Sequence, residues 1–240
     1  CAGDPKFGNG RQYIQSNINL TKRILESAEA KSSELEQFIF ISSIGAVDRK
    51  KTDSCKSTIH EETPAFPTSD YGRSKLEAEK AVWSSNLPAT VLRPSLVVGG
   101  GMRYKSHFSS FLRSAFRNSI FSKFDWSGTF SVIHIDDLVS AIFLLSKQKG
   151  AIGETYFCSG NPLNLGASLG LTTTSKRKRI STSWAEPFAR NFPFLFPFRL
   201  KCLLLPALVA SDKKLRKLGW HPLHTNKSIL NDLLKRERIR

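Results

Sequence analysis

The sequence is poor in cysteine, with four in 240 residues. None of them stands in a CxxC pair or beside a histidine at metal-ligand spacing, which argues against a cysteine-based metal site. We therefore expect reduced, mostly buried thiols in a cytoplasmic protein. Because 40% of the residues are hydrophobic, the chain can bury a substantial core and is not expected to be disordered.

Acidic residues are also scarce, with 20 Asp and Glu against 36 Lys and Arg. The shortage is uneven, because residues 1–100 hold 12 acidic and 13 basic residues whereas residues 101–240 hold 8 and 23. A surface of one sign attracts an anionic substrate, an acidic membrane surface or nucleic acid. The basic run 176–179 lacks interleaved aromatic residues and any nucleic-acid-reading motif, so we expect no nucleic-acid binding.

The chain lacks a long uninterrupted apolar run. Its most apolar stretch, residues 192–210, contains Arg199, Lys201 and three prolines, which argue against a membrane-spanning helix. Two interpretations of it stay open: a core or lid segment of a substrate-binding region, or an interfacial segment in peripheral contact with a membrane. The chain starts at Cys1 without a methionine, and no signal-peptide pattern follows.

Helical and strand periodicities alternate along the chain. The pattern predicts these segments: a helix over 11–30 with Ile14, Ile18, Leu25 and Ala28 inward, a strand over 38–41, a loop over 48–70, a helix over 71–83 with Leu76 and Trp83 inward, and a strand through 90–92. Beyond the glycines at 99–101 it predicts a helix over 108–116, a strand over 130–135, a helix capped by Asp136 with Leu138, Ile142 and Leu145 inward, and a helix over 213–218 ended by Gly219. The β-α-β order predicts a doubly wound parallel sheet.

One pair of side chains suggests chemistry. Tyr71 and Lys75 are four positions apart on a predicted helix, so both project from one face. In a sequence of this composition, the expected number of Tyr-x-x-x-Lys matches by chance is roughly one third. The residues that surround the pair therefore matter. A buried strand ends upstream in Ser42 and Ser43, at the carboxyl edge where open α/β sheets bind ligands.

These segments carry a family resemblance. Residues 38–43 and 71–79 resemble the active-site stretch of the extended short-chain dehydrogenase/reductase family, in its NAD-dependent epimerase/dehydratase group. Further matches follow in the order of that family: Asn17, Leu92-Arg93-Pro94 through Gly101, Ile133 to Leu138, and Leu218-Gly219-Trp220. The resemblance implies a Rossmann-like parallel sheet over 1–100 and a smaller C-terminal α/β substrate-binding region over 101–240, with 130–146 returning to the Rossmann core.

The resemblance also implies roles for individual residues. Tyr71 exchanges the proton of the substrate hydroxyl, Ser43 holds the same oxygen, and Lys75 binds the nicotinamide ribose of NAD or NADP. A phenol has a pKa near 10, so we expect the charge of Lys75 to lower that of Tyr71. The residues expected at the cofactor are Ala2, Gly3, Asn17, Ile41, Ser42, Tyr71, Lys75, Pro94, Leu96 and Val97.

The sequence departs from the family pattern in two places. The glycine-rich turn that receives the pyrophosphate is absent, and two βαβ units of about 30 residues each are expected to precede this sequence in the family. Phe130 stands near where nucleotide-sugar epimerases commonly have an arginine for the diphosphate. Arg103, Lys105, Arg113 and Arg117 can bind phosphates in its place, or they are scattered solvated charges. With Ser43, Arg103 and Arg113 are the expected substrate contacts.

Three functions remain open on the sequence. The first is an epimerase, dehydratase or reductase acting on a nucleotide sugar, working as a homodimer. The second is a hydroxysteroid- or flavonoid-type dehydrogenase of the same superfamily, and the third is a non-catalytic remnant or interaction subunit. No metal is expected, because His221 and His224 lack a third ligand and a helical setting. His134 is expected to be structural.

Overall fold

The fold is built from helices on both faces of a parallel sheet. The structure is a computed structural model that describes residues 10–48, 58–99, 124–164, 180–181, 184–192, 195, 204 and 209–238. Its described helices are α1 (Gly10–Tyr13), a π-helical turn (Ile14–Asn19), α2 (Leu20–Glu29), α3 (Asp70–Trp83), α4 (Ile135–Leu145), α5 (Ala185–Asn191), α6 (Lys213–Arg216) and α7 (Asn226–Arg238). Its described strands are β1 (Phe38–Ile41), β2 (Ala89–Pro94), β3 (Leu96–Val98), β4 (Phe124–Asp125), β5 (Thr129–His134), β6 (Thr155–Cys158), β7 (Pro162–Asn164) and β8 (Ile180–Ser181).

The parallel sheet has the order β1-β2-β6. Phe38 pairs with Ala89 at one end of β1, and Pro94 pairs with Cys158 at the far end of β2. Neighbouring residues of β2 point to opposite faces, so Val91 packs in the core beneath α2 and α3 while Leu92 packs in the core beneath α4. Burial on both faces explains the continuous apolar run of β1 and the buried position of every residue of β2, and it confirms the doubly wound sheet.

The later strands form smaller sheets beside this one. Strand β5 is parallel to β3 and antiparallel to β7, and β4 pairs with β8. Helix α4 packs on the same core as Leu92 through Leu138, Ala141 and Leu145, with Trp220 closing the cluster. The inward face predicted for α4 is thus confirmed, and so is the stop at Gly219, whose φ of 91° favours glycine.

Two predicted inward residues are exposed. The first helix contains a π-helical turn over Ile14–Asn19, which adds a residue to the turn and breaks the expected 3.6-residue spacing. Ile14 is therefore 50% exposed, while Leu25 beyond the turn is buried. Trp83 is 40% exposed because it is the last residue of α3, and Val82 takes the buried position instead.

The cap of α4 also differs from the prediction. The N-cap is His134, whose Nδ1 accepts the backbone N–H of Asp136 at 3.2 Å. Asp136 lies inside the first turn, where its carboxylate faces the positive end of the helix dipole. His134 is buried and has the structural role expected from the sequence.

Some predictions concern residues that the structure does not describe. The predicted helix over 108–116 and most of the apolar stretch 192–210 lie outside the described residues, as do Ala2, Gly3, Arg103 and Arg113. No helix within the described residues is long and apolar enough to cross a membrane.

Candidate active site

The site begins at the carboxyl end of β1. The backbone N–H of Ser42 continues the sheet by donating to the carbonyl of Leu92 at 2.7 Å. Ser43 leaves the strand in an extended conformation and caps the short 3-10 helix Ile44–Ala46, with its Oγ accepting the N–H of Gly45 at 3.1 Å. Since that bond uses a lone pair, the hydroxyl proton of Ser43 is free to be donated to another group.

Helix α3 meets this turn at its first residues. Ser69 caps the helix by accepting the N–H of Gly72 at 3.0 Å. Gly72 lies directly against the backbone of Gly45. A Cβ at Gly72 would therefore overlap the Gly45 carbonyl oxygen. The two glycines let helix and turn approach closely, which brings Tyr71 beside Ser43.

The phenol of Tyr71 is half-buried and lies in an aromatic setting. Its ring packs edge-on against that of Tyr13, with ring centroids 5.8 Å apart. Burial raises the pKa of Tyr71 above its usual value, the hydrogen bond with Ser43 opposes that rise, and the nearby phenol of Tyr13 adds to it. Ser43 is therefore the group that favours the phenolate here, because a hydrogen bond to the charged form stabilises it.

Lys75 lies one turn after Tyr71 on the buried face of α3. Its Nζ donates to the carbonyl oxygen of Ile41 at 3.0 Å and lies 5.3 Å from the ring centroid of Phe40. Burial lowers the pKa of Lys75, and the carboxylate of Glu79 opposes this shift. Burial dominates at Tyr71 and raises its pKa, so the lowering expected from Lys75 together with an oxidised nicotinamide stays a prediction.

Asn17 joins the first helix to α3. It is buried within the π-helical turn, and its Nδ2 donates to Ser74 Oγ at 2.9 Å, which donates in turn to the carbonyl of Tyr71 at 2.8 Å. The carbonyl of Asn17 accepts the hydroxyl of Thr21 at 2.6 Å. The structure thus links this residue to the backbone of Tyr71, whereas the sequence suggested only that it lies near a cofactor.

The remaining predicted cofactor contacts follow β2. Pro94 ends that strand, Leu96 begins β3 with a partly exposed side chain, and Val97 is half-buried beside it. The strand leads into Gly99. Its φ of 142° lies in the region that favours glycine, and a Cβ at this position would lie only 2.7 Å from the Ile135 side chain. Ile41, Ser42, Ser43, Tyr71 and Lys75 lie together at the carboxyl edge of the sheet.

Sequence reasoning missed a buried ion pair behind Lys75. The carboxylate of Glu79 accepts two hydrogen bonds from Arg93, one from Nε at 2.9 Å and one from Nη2 at 2.6 Å. Both side chains are at least nine-tenths buried. The spacing shows only that Glu79 shares a helix face with Lys75, four residues earlier, and it does not indicate Arg93 as the partner.

A cluster of two histidines and an aspartate lies at the start of α4. Ligand atoms of His134, Asp136 and His224 lie within 4.8 Å of one another. The two imidazoles are stacked, with centroids 3.8 Å apart and planes inclined by 23°. A bound metal lies about 2.0–2.1 Å from each nitrogen, along its lone pair in the ring plane. Nearly parallel rings do not converge in this way, so the cluster is better suited to packing than to coordination.

Comparison with known proteins gives a consistent picture of the fold. The family model for the NAD dependent epimerase/dehydratase family matches residues 3–159. UDP-glucuronic acid 4-epimerase from Bacillus cereus in complex with NAD superposes with a TM-score of 0.74 and 18% identity, over 99% of this chain and 73% of that one. No curated protein sequence gives a significant match.

Two further solved structures have a similar fold. RMD from Pseudomonas aeruginosa complexed with NADPH has 20% identity and a TM-score of 0.73, over 100% of this chain and 80% of that one. MoeE5 in complex with UDP-glucuronic acid and NAD has 16% identity and a TM-score of 0.71, over 100% of this chain and 78% of that one. At these identities the likeness establishes the fold alone.

Proposed function

Because this chain belongs to the NAD-dependent epimerase/dehydratase family, we propose that it transforms the sugar of a nucleotide sugar by hydride transfer, with Ser43, Tyr71 and Lys75 as its catalytic residues. The observation that carries the proposal is the closeness of Ser43 and Tyr71, whose side chains both lie against Gly45, with Lys75 buried one turn further along α3. These residues come from two elements separated in sequence, and they meet at the edge of the sheet where open α/β folds bind ligands.

The polar groups of the site fit the nicotinamide ribose of NAD or NADP. Within the described part of the chain, Ser42 Oγ and Asn17 Oδ1 are buried without a hydrogen-bond partner, and a polar group left unpaired in this way has a cost that a ligand can remove. Lys75 has two ammonium protons beyond the one given to Ile41, which suits the ribose hydroxyls. Pro94, Leu96 and Val97 follow the adjacent strand end and would contact the nicotinamide. When bound, the cofactor supplies the redox chemistry as acceptor and donor of hydride.

The protein residues would handle the proton. Tyr71 takes the proton of the sugar hydroxyl as its carbon is oxidised, and returns it when a carbonyl is reduced. With substrate bound, Ser43 would turn its single hydroxyl proton from the phenol to the reacting oxygen, which orients the substrate against Tyr71. Burial disfavours the phenolate of Tyr71, so the positive charges of Lys75 and an oxidised nicotinamide would offset that cost.

A nucleotide sugar is the substrate class best supported. Two of the similar folds were solved with UDP-glucuronic acid bound, the Bacillus cereus epimerase and MoeE5. Residues 101–240 hold 23 basic against 8 acidic residues, which suits a diphosphate. In this proposal residues 1–100 carry the catalytic groups, while 101–240 supply most substrate contacts, Arg103 and Arg113 among them.

The test is turnover by the purified chain and its Tyr71→Phe variant. Each is incubated with UDP-glucose or UDP-glucuronic acid and NAD or NADP, and products are separated by chromatography and identified by NMR. We expect wild-type turnover and a loss of at least about a hundredfold in Tyr71→Phe, since it removes the acid-base group. Tyr156→Phe, which changes a phenol on β6, is the matched control and should stay active.

Two outcomes reject the assignment. Retained activity in Tyr71→Phe rules out the proposed role of the phenol. A cooperatively folded wild-type chain that neither binds NADH, by energy transfer from its tryptophans, nor turns over any sugar nucleotide supports a non-catalytic remnant instead.

A further inference from the structure

The buried ion pair behind the site connects α3 to the sheet. Glu79 follows Lys75 by one helical turn, and its carboxylate is held at both oxygens by Arg93 of β2. The guanidinium of Arg93 lies 5.6 Å from the ring centroid of Phe157 on the neighbouring strand β6. The pair is therefore fixed by two strands and a helix, one helical turn beyond Lys75 on the buried face of α3.

Packing alone does not explain why these charges are kept. Replacing a buried ion pair with apolar side chains of similar volume is often neutral or stabilising, because the pair has lost its hydration. The surroundings of Glu79 are apolar enough for such a replacement, with Ala78 and Val82 beside it on the buried face of α3. The pair is thus expected to have a role other than stability.

The charges around Lys75 indicate that role. The ammonium lies against Phe40 and the Ile41 carbonyl of β1, with Tyr71 preceding it on α3. Tyr13, from the first helix, lies on the far side of Tyr71. Burial disfavours the ammonium, and Glu79 is the acidic group that acts against this. Arg93 fixes the carboxylate while partly neutralising it.

We propose that Glu79, held by Arg93, is a positioning residue that keeps Lys75 charged and directed at the end of β1. It acts through Lys75 and does not contact the reacting atoms. The consequence for catalysis rests on the proposed function, whereas the consequence for Lys75 itself does not. Lys75 can therefore be tested in the folded protein without a substrate.

The decisive variant is the apolar pair Glu79→Leu with Arg93→Met. It removes both charges together, so no charge is left buried alone, and thermal unfolding should stay cooperative and close to that of the wild type. The protonation of Lys75 is followed by NMR titration of protein labelled with 13C-lysine, with the Lys75 signal identified by its absence in Lys75→Met. We expect the Lys75 midpoint to fall relative to the wild type.

Two single variants complete the series. Glu79→Gln leaves the Arg93 charge unopposed, so it should lower the Lys75 midpoint further than the apolar pair does. Glu77→Gln, on the exposed face of the same helix where Glu77 pairs with Lys80 at 2.7 Å, is the matched control and should leave the midpoint unchanged. A folded apolar-pair variant with an unchanged Lys75 midpoint overturns the inference.

Turnover separates this inference from the proposed function. If the wild type is active, the apolar pair should lose roughly tenfold or more in kcat above its new Lys75 midpoint, with KM unchanged, since an acid-base step depends on that charge. If the wild type is inactive but the midpoint shifts as expected, the proposed function fails and the role of Glu79 stands. If the wild type is active but the Lys75 midpoint does not move, the proposed function stands and the role of Glu79 fails.

Discussion

Burial acts on the two titratable residues of the site in the same sense, by disfavouring their charged forms. The pKa of Tyr71 is raised and that of Lys75 is lowered, and desolvation is the largest cause of both shifts. Each residue has one neighbour that opposes the effect, Ser43 for the phenol and Glu79 for the amine. The site therefore depends on particular hydrogen bonds and charges, more than on the mutual attraction of Tyr71 and Lys75.

The raised pKa of Tyr71 gives the protein a pH-dependent stability. A group whose pKa is higher in the folded state contributes stability that is complete below its unfolded pKa, near 10.0, and is lost as the pH rises through the folded pKa. Tyr71→Phe cannot ionise and lacks this loss. We expect urea unfolding between pH 7 and 11 to show that, above pH 10, the free energy of unfolding of the variant rises relative to that of the wild type. A difference that is constant with pH contradicts the assigned burial.

Among the elements, those with a simple local pattern could be predicted. Helix α3 was expected over 71–83 and spans Asp70–Trp83, because polar loops and a serine cap bound it clearly. Strand β2 was expected through 90–92 and extends to Pro94, since a proline is tolerated at a strand end. The π-helical turn was not predicted. Its buried residue Asn17 contacts Ser74, 57 positions away, and no local periodicity contains such a contact.

The close approach of α3 to the 3-10 turn predicts a sensitive glycine. In Gly72→Ala the new methyl group would meet the backbone of Gly45, which cannot move as a flexible side chain does. We expect a loss of about 1–3 kcal/mol in the free energy of unfolding, and a weaker Ser43–Tyr71 contact because the helix must shift. Urea unfolding and turnover measure the two effects.

Gly150→Ala is the control for that substitution. Among the residues that the structure describes, none has an atom within 4 Å of where a Cβ would lie at Gly150, so alanine should be neutral or stabilise by about 0.4–1 kcal/mol through the unfolded state. Equal effects of the two substitutions would mean that the helix and turn are not in tight contact. A larger loss for Gly72→Ala supports that contact.

At the scale of the whole molecule, the sequence indicated the site residues but not what holds them. Ser43, Tyr71 and Lys75 form a recognisable spacing, since two lie on one helix and one ends a strand. The pairing of Glu79 with Arg93 joins α3 to β2, and the pairing of Asn17 with Ser74 spans 57 positions. Nothing in the local pattern sets such partners, because they are selected by how the helices pack on the sheet.

The C-terminal segment is held to the sheet by a buried carboxylate. Asp137 at the start of α4 accepts the N–H of Leu223 at 2.8 Å and that of His224 at 3.2 Å, and it also bonds the His224 ring at 3.1 Å. His224 stacks in turn on His134, which faces Asp232 of α7 at 3.7 Å. Asp137 therefore holds the segment before the last helix to α4, and His134 faces the last helix itself.

Replacing this carboxylate should release the C-terminal segment before the rest of the fold. Asp137→Asn turns one acceptor into a donor that faces other donors. We therefore expect the free energy of unfolding to fall by about 3 kcal/mol and hydrogen exchange over 221–232 to become faster. Asp136→Asn is the control, because it removes the same charge from the same helix turn on a side chain that is 70% exposed. If mass spectrometry finds equal exchange in both variants, the segment is held by apolar packing around Trp220 rather than by Asp137. Faster exchange in Asp137→Asn alone, with β1 and β2 still protected, means that the carboxylate couples the last helix to a core that is stable without it.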